Sequence, residues 1–142
     1  MDIVEKREVG LKVAWSFLGT SYLWGGDDPM AGFDCSGFCV EILKSVGILP
    51  RKGDWTAQML WERLKNKKAD KPYAGCLVFW NNTAKDRIVH VEFSINDTLC
   101  IGASGGGSKT ITVEDAIKQN AYIKVRPWKT RRYVKGFLDP FL

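Results

Sequence analysis

Near Gly75, the spacing of apolar residues in this chain of 142 residues changes from helical to alternating. Before Gly75, apolar residues recur every three to four positions, as on one face of a helix. After it, apolar and polar residues alternate, as on the strands of a sheet. Helices followed by strands predict an α+β domain whose helices pack on one side of an antiparallel sheet. Because no linker, repeat or low-complexity segment interrupts the pattern, we expect one domain over residues 1–142.

The apolar spacing and the turn residues also predict where individual elements lie. The expected helices cover residues 2–18, 35–46 and 112–119, and a further one begins behind Asp54 as its N-cap. The expected strands cover residues 76–80, 88–95, 98–103, 122–125 and 133–137. The expected buried face of the first helix consists of four apolar residues: Leu11, Ala14, Trp15 and Leu18.

Charge and apolar content leave several classes of partner open. The net charge is +5, and the basic residues group in the segments 65–71 and 124–135. Solvated faces explain these groups most simply, and attraction to nucleic acid, anionic lipid or a bacterial wall is the alternative. No apolar run approaches the roughly 20 residues that span a bilayer, and the first residues lack the pattern of a signal peptide. We therefore expect synthesis in the cytoplasm without an export leader.

The four cysteines do not have the spacing of a metal site. In a chain without an export signal, reduced thiols are the default. Cys35 and Cys39 are separated by three residues and the chain contains a single histidine, which is not a zinc-finger pattern. The glycine-rich segment 102–110 is not a phosphate-binding loop either, because Ser108 separates glycine from Lys109. We expect neither a metal nor a cofactor.

Cys35 has the setting of a nucleophile. It follows the glycine-rich loop 25–32 and opens a helix, with the small neighbours Ser36 and Gly37. The positive end of a helix stabilises a thiolate, and its free N–H groups can hold an oxyanion. The other cysteines, Cys39, Cys76 and Cys100, lie among apolar residues and are expected to be buried and structural.

His90 is the only histidine of the chain. A histidine on the polar side of a strand is most often simply exposed. The alternation, however, places His90 on the face opposite Val89 and Val91, from which it can meet the helix that carries Cys35. Because imidazole titrates near neutral pH and the chain has no second histidine, His90 has no competitor as a general base. A cysteine paired with one histidine is the minimum equipment for thiol nucleophilic catalysis.

Several segments resemble the NlpC/P60 peptidases, and they occur in the family's order. They are Tyr22-x-Trp24-Gly25-Gly26, Gly32-Phe33-Asp34-Cys35-Ser36-Gly37, Gly47-Ile48-Leu49-Pro50-Arg51, Gly75-Cys76-Leu77-Val78-Phe79 and His90-Val91. The similarity extends from about residue 6 to residue 105. It implies a papain-like fold, with an N-terminal helical part that carries cysteine against a small barrel-like sheet that carries histidine. It also implies a cysteine endopeptidase that hydrolyses amide bonds in peptidoglycan stem peptides, commonly between γ-D-glutamyl and a diamino acid, without nucleic acid or cofactor.

The resemblance also implies roles for individual residues. Cys35 would be the nucleophile, His90 the general base and later acid, and the Tyr22 hydroxyl would assist the oxyanion site. Three further residues would hold the stem peptide, with Asp34 meeting its free amine: Trp24, Asp34 and Ser36. Core packing explains Tyr22 and Trp24 as well, and helix capping explains Asp34; either role is compatible with the functional one.

One position departs from the family pattern. Members usually place a polar residue, often a second histidine, about twelve positions after the first to orient the imidazole. In this chain that position is Gly102, which has no side chain. Ser104 on the same strand face, Glu92 on the face of His90, or a backbone carbonyl are the candidates that remain for this third member.

Other functions share these residue types. Related folds act as wall amidases, including N-acetylmuramoyl-L-alanine amidases at the sugar–peptide junction, or as acyltransferases and deamidases. A non-catalytic module of a phage tail or of a wall-binding assembly is an alternative from a different class. The absent signal peptide and the segment 101–108 resemble phage-encoded or prophage members of the family. They predict action on the bacterial wall, from a phage particle with tail proteins as partners or after lysis.

Overall fold

The structure is a computed structural model that describes residues 1–28, 32–83 and 87–142. In chain order, its first half contains α1 (Ile3–Ser16), β1 (Asp27–Asp28), β2 (Gly32–Phe33), α2 (Cys35–Ser45), α3 (Ala57–Leu64) and β3 (Lys68–Ala69). The second half contains β4 (Leu77–Asn81), β5 (Ile88–Ser94), β6 (Leu99–Ser104), α4 (Val113–Gln119), β7 (Tyr122–Pro127), a 3₁₀ turn (Trp128–Thr130) and β8 (Val134–Leu138). Within these ranges, no helix is long and apolar enough to cross a membrane.

Six strands form one antiparallel sheet in the order β3-β8-β4-β5-β6-β7. The helix α2 packs against β5 and β6, and α3 packs against β5, so the main core lies between these helices and the centre of the sheet. The short pair β1–β2 contacts the α2 helix. The α+β class with helices on an antiparallel sheet is therefore confirmed.

The second face of the sheet is covered as well. Val78, Trp80 and Cys100 are buried there. They form a smaller cluster with three side chains from the C-terminal segment: Trp128, Val134 and Phe137. Because the chain folds back over this face, the polar positions of β5 are buried rather than solvated: His90, Glu92 and Ser94.

The start of α2 is fixed by its N-cap, Asp34. Its Oδ1 accepts a hydrogen bond from the Gly37 amide at 2.7 Å, which satisfies a free donor of the first turn. The preceding loop lies directly on this turn, and a side chain at Gly37 would collide with the Gly26 carbonyl oxygen. The Asp34 cap and the close approach of the loop at Gly37 together fix Cys35 as the first residue of the helix.

Two details of the predicted helices are wrong. Of the predicted buried face of the first helix, Ala14 is buried and Leu11 packs against the core, but Trp15 and Leu18 are 45% and 50% exposed. Gly10 is buried on this side as well. Helix α3 begins at Ala57 with Thr56 as its N-cap, because the Thr56 hydroxyl rather than Asp54 accepts the Met59 amide at 3.1 Å.

The remaining boundaries differ by a few residues. The predicted loop 25–32 includes β1 and the first residue of β2, and its Pro29 lies outside the described residues. The short strand β3 and the 3₁₀ turn were not predicted. The predicted helix 112–119 is confirmed, and Thr112 and Asp115 form a capping box at its start.

Candidate active site

The fold brings Cys35 and His90 together from distant parts of the chain. Cys35 is the first residue of α2, and His90 lies in β5. The half-buried Cys35 thiol lies 4.0 Å from the carbonyl oxygen of Val89, the residue before His90, and it is close enough to the imidazole to raise the pKa of His90. The geometry therefore joins a thiol at a helix N-terminus to an imidazole, which is the arrangement that activates a cysteine nucleophile.

Glu92 is the second partner of the His90 ring. His90 Nε2 lies 2.6 Å from Glu92 Oε2, which leaves Nδ1 as the ring nitrogen for the thiol. The Trp80 ring packs on the imidazole with 5.2 Å between the centroids. His90 itself is only 5% exposed, so the ring is held on all sides by protein groups.

These contacts keep the imidazole positively charged. Burial on its own would lower the pKa of His90, but the hydrogen bonds and negative charges of Cys35 and Glu92 outweigh it and raise this pKa to about 9. Burial would raise the pKa of Glu92, yet its bond to His90 and the charges of His90 and Arg126 lower it below the ordinary value. The pair is therefore an imidazolium and a carboxylate at neutral pH.

The Glu92 carboxylate is anchored on its other side too. Its Oε1 accepts a hydrogen bond from the Cys100 thiol at 3.4 Å, and Arg126 Nη2 lies 3.6 Å from Oε2. A Cβ atom built on Gly102 would come within 2.8 Å of Glu92 Cδ. Glu92 thus occupies the space that a side chain at position 102 would need.

The position of Ser104 does not let it orient the imidazole of His90 through a direct hydrogen bond. It lies buried at the end of β6, paired with Tyr122 of β7. Among the described residues, no hydrogen bond joins Ser104 to His90, and the imidazole partner is Glu92, one of the alternatives that the sequence left open.

Tyr22 lines the same pocket as Cys35. Its side chain is buried, and its pKa is raised above the ordinary value, by burial first and then by the charges of Cys35 and Asp34. The hydroxyl therefore stays protonated over the working pH range of a thiol enzyme. A protonated hydroxyl beside the nucleophile can donate to an oxyanion.

The predicted substrate-contact residues lie along two adjoining depressions. A pocket of about 440 Å³ contains Cys35 and Trp24, which is 59% exposed at its rim. Asp34 and Ser36 are shared with a neighbouring groove of about 280 Å³, which also carries Asp27. The Asp34 carboxylate already accepts bonds from the Gly37 amide and the Ser36 hydroxyl, so its capping role is observed.

The other thiols and acids do not assemble a metal site. The structure contains four free cysteines, and Cys39, Cys76 and Cys100 are buried. Within the described part of the chain, no three histidine, cysteine or carboxylate side chains are grouped to hold a metal ion.

Comparisons with known proteins show the family to which the chain belongs. The profile of the NlpC/P60 family matches residues 19–131. The chain belongs to the NlpC/P60 family. It is 33% identical over 102 residues to the bifunctional muramidase/DL-endopeptidase CwlT of Bacillus subtilis, covering 70% of this chain and 30% of that protein. It is 28% identical over 120 residues to the gamma-DL-glutamyl hydrolase of the same organism, covering 83% of this chain and 26% of that protein.

Solved NlpC/P60 structures share the fold. An NlpC/P60 family protein from Bacillus cereus superposes with a TM-score of 0.74 at 24% identity, over 96% of this chain and 40% of that one. The NlpC/p60 domain of the peptidoglycan hydrolase SagA gives a TM-score of 0.64 at 23% identity, over 93% of this chain and 97% of that domain. The chain spans only 17–34% of the length of the curated relatives that it matches.

Sequence reasoning missed the basic residues around this NlpC/P60 site. Arg126 contacts Glu92, and Arg131 lies close enough to Cys35 and Glu92 for their charges to act on it. The one available signal was the group of cations in the segment 124–135, but its position relative to His90 depends on strand register. That register was not readable from the sequence.

Proposed function

We propose that this NlpC/P60 domain is a cysteine endopeptidase that hydrolyses an amide bond in peptidoglycan stem peptides. The observation that carries the proposal is the position of the Cys35 thiol, at the start of α2 and next to the strand segment Val89–His90, together with the bond from the His90 ring to Glu92. The names of the relatives, a DL-endopeptidase and a gamma-DL-glutamyl hydrolase, favour the bond between γ-D-glutamyl and a diamino acid.

The first half-reaction forms an acyl-enzyme. The Cys35 thiolate attacks the amide carbonyl carbon, and the carbonyl electron pair moves onto oxygen. The oxyanion accepts hydrogen bonds from the free N–H groups at the start of α2 and from the Tyr22 hydroxyl. When the intermediate collapses, the C–N bond breaks, and His90 donates its Nδ1 proton to the leaving amine.

The second half-reaction restores the thiol. His90, now neutral, takes a proton from water, and the resulting hydroxide attacks the thioester carbonyl. The C–S bond breaks, the peptide leaves as a carboxylic acid, and the proton on His90 again pairs with the Cys35 thiolate. Glu92 keeps the ring oriented and stabilises its charged form throughout.

Digestion of purified peptidoglycan with product identification by mass spectrometry tests this proposal. We expect fragments that end in γ-D-glutamate and fragments that begin with the diamino acid. Cys35→Ala should abolish their release, whereas Cys76→Ala, which removes a buried thiol far along the chain, should not. Undiminished cleavage by Cys35→Ala would contradict the mechanism, and products split at the sugar–peptide junction would instead identify an amidase.

A further inference from the structure

Strand register places two cations on the sheet face that carries His90 and Glu92. In the β6–β7 pair, Lys124 lies opposite Gly102, and Arg126 lies opposite Cys100. Paired residues project to the same side of a sheet, and Cys100 contacts Glu92 of β5 on that side. Lys124 and Arg126 therefore share a sheet face with Glu92 and His90, and the β6 residues between them and Glu92 are the small Gly102 and Cys100.

A third cation approaches the same face from the segment after the 3₁₀ turn. The Arg131 guanidinium carbon lies 6.0 Å from the centroid of the Trp80 ring, which itself packs on His90. Burial lowers the pKa of Arg131, the charges of Glu92 and Cys35 oppose this shift, and the charge of Arg126 adds to it, so Arg131 lies within electrostatic range of all three groups. Burial and then Arg126 act in the same direction on the pKa of Lys124.

Within the described ranges, Glu92 is the only carboxylate in ion-pair contact with the cluster formed by Lys124, Arg126 and Arg131. The Lys124 ammonium donates a hydrogen bond to the Asn120 carbonyl oxygen at 2.8 Å. Glu92 lies 3.6 Å from Arg126, but it already holds His90. Among the described residues, no carboxylate oxygen lies within ion-pair distance of Lys124 or Arg131. The buried Nε of Arg126 also has no hydrogen-bond partner in the described part of the chain.

We propose that Lys124, Arg126 and Arg131 form a carboxylate-binding site for the leaving fragment of the substrate. The inference rests on the proposed function and adds a specificity site to it. All three side chains are partly exposed, so an anion can reach them. Arginine presents paired donors that match the two oxygens of a carboxylate.

The side of the cleft follows from the chemistry. The leaving amine must receive its proton from His90, so the leaving fragment lies on the histidine side of the cleft. The cluster adjoins His90 through Glu92, whereas the groove with Asp27 and Asp34 is lined by α2, α3 and the loop before α2. A carboxylate on the leaving fragment is therefore the group that this cluster can reach.

Binding to the inactive Cys35→Ala protein tests the site without relying on catalysis. The probes are L-Ala-γ-D-Glu-L-Lys-D-Ala with a free C-terminus and the same peptide with a C-terminal carboxamide, measured by titration calorimetry. We expect the free carboxylate to bind about 10-fold more tightly. Adding Arg131→Gln or Arg126→Gln should bring this ratio close to one and leave the affinity for the carboxamide unchanged. Arg126→Lys should restore part of it.

Lys129→Gln is the matched control. It removes the same charge from an exposed side chain that packs on Trp128, so it should keep the ratio. Equal binding of the two peptides, no binding of either, or an equal loss of the ratio in Lys129→Gln would each overturn the site. Thermal unfolding of each variant checks that the fold is intact.

Cleavage of both peptides by the protein with Cys35 intact separates this inference from the function it rests on. If both are cleaved but bind equally, the carboxylate site is wrong and the peptidase proposal stands. If neither is cleaved but the binding ratio is present, the peptidase proposal fails and the site stands.

Discussion

Replacing Glu92 with glutamine removes one negative charge from the His90 ring and preserves the size of the side chain. Glu92 Oε2 lies 2.6 Å from His90 Nε2 in a nearly dry environment, where charges interact strongly. We expect Glu92→Gln to lower the pKa of His90 and, in the proposed mechanism, to lower the rate.

The size of the effect follows from the raised pKa. A pKa of about 9 for His90, instead of the ordinary 6.5, corresponds to about 3 kcal/mol in favour of the imidazolium. Cys35 and Glu92 both supply this stabilisation against the opposing effect of burial. Removing the Glu92 charge should therefore lower the pKa of His90 by about one pH unit or more. The alkaline limb of kcat/KM should move to lower pH with it. Near neutral pH the ring stays largely protonated, and the rate should fall about 10- to 100-fold because the Glu92 carboxylate no longer orients and stabilises the imidazolium.

The chain offers a clean assay because His90 is its only histidine. The single imidazole Cε1–H signal can be followed by proton NMR between pH 5 and pH 10 without assignment. The unsubstituted protein should titrate near pH 9 and Glu92→Gln at lower pH, whereas Glu114→Gln, at an exposed position of α4, should match the unsubstituted protein. A His90 midpoint that is the same with and without Glu92 would refute the reasoning.

Three further outcomes follow from the same contacts. Gly102→Ala should displace the Glu92 side chain and cost about 1–3 kcal/mol in chemical denaturation, together with activity, whereas Gly107→Ala, whose Cβ would meet open space, should do neither. The pKa of His90 is higher in the folded than in the unfolded protein, so its contribution to stability is complete below about pH 6.5 and is lost as the pH rises through about 9. The difference in unfolding free energy between the unsubstituted protein and Glu92→Gln, measured in urea titrations, should therefore decrease over that pH range. An increase of this difference with pH would contradict the reasoning. Tyr22→Phe should lower kcat about 10- to 100-fold with an unchanged thermal transition, and an unchanged kcat would remove the hydroxyl from the oxyanion site.

The candidate nucleophile and its proposed partner could be predicted because their sequence signals are local or unique. Cys35 follows a glycine-rich loop and opens a helix with Asp34 as cap, and these features can be read within a dozen residues. His90 needed no geometry to be singled out, since the chain has no other histidine. The strand alternation then placed its side chain on one face, although it did not show that this face is buried.

What could not be predicted depends on contacts between distant segments. The C-terminal segment folds back and covers the outer sheet face with Trp128 and Phe137, so residues that alternate like a half-exposed strand are buried on both sides. The same holds for Arg126, because only the β6–β7 register places it next to Cys100 and Glu92. The predicted N-cap of α3 is wrong for a more local reason. Asp54 and Thr56 are both good N-cap residues, and only the backbone geometry selects Thr56.

The absence of a polar side chain at position 102 and the presence of the basic cluster have one physical cause. A side chain from β5 and a side chain from β6 cannot both fill the space beside His90 Nε2, because a Cβ on Gly102 would overlap the Glu92 side chain. This chain fills that space from β5, with a carboxylate two residues from the histidine instead of a polar group twelve residues away. A buried carboxylate needs compensating positive charge. Arg126 supplies it from β7, and it does so without a large intervening side chain because β6 carries glycine and cysteine at the facing positions. The exchange at Gly102 thus explains both the raised pKa of His90 and the presence of arginine next to the reacting groups.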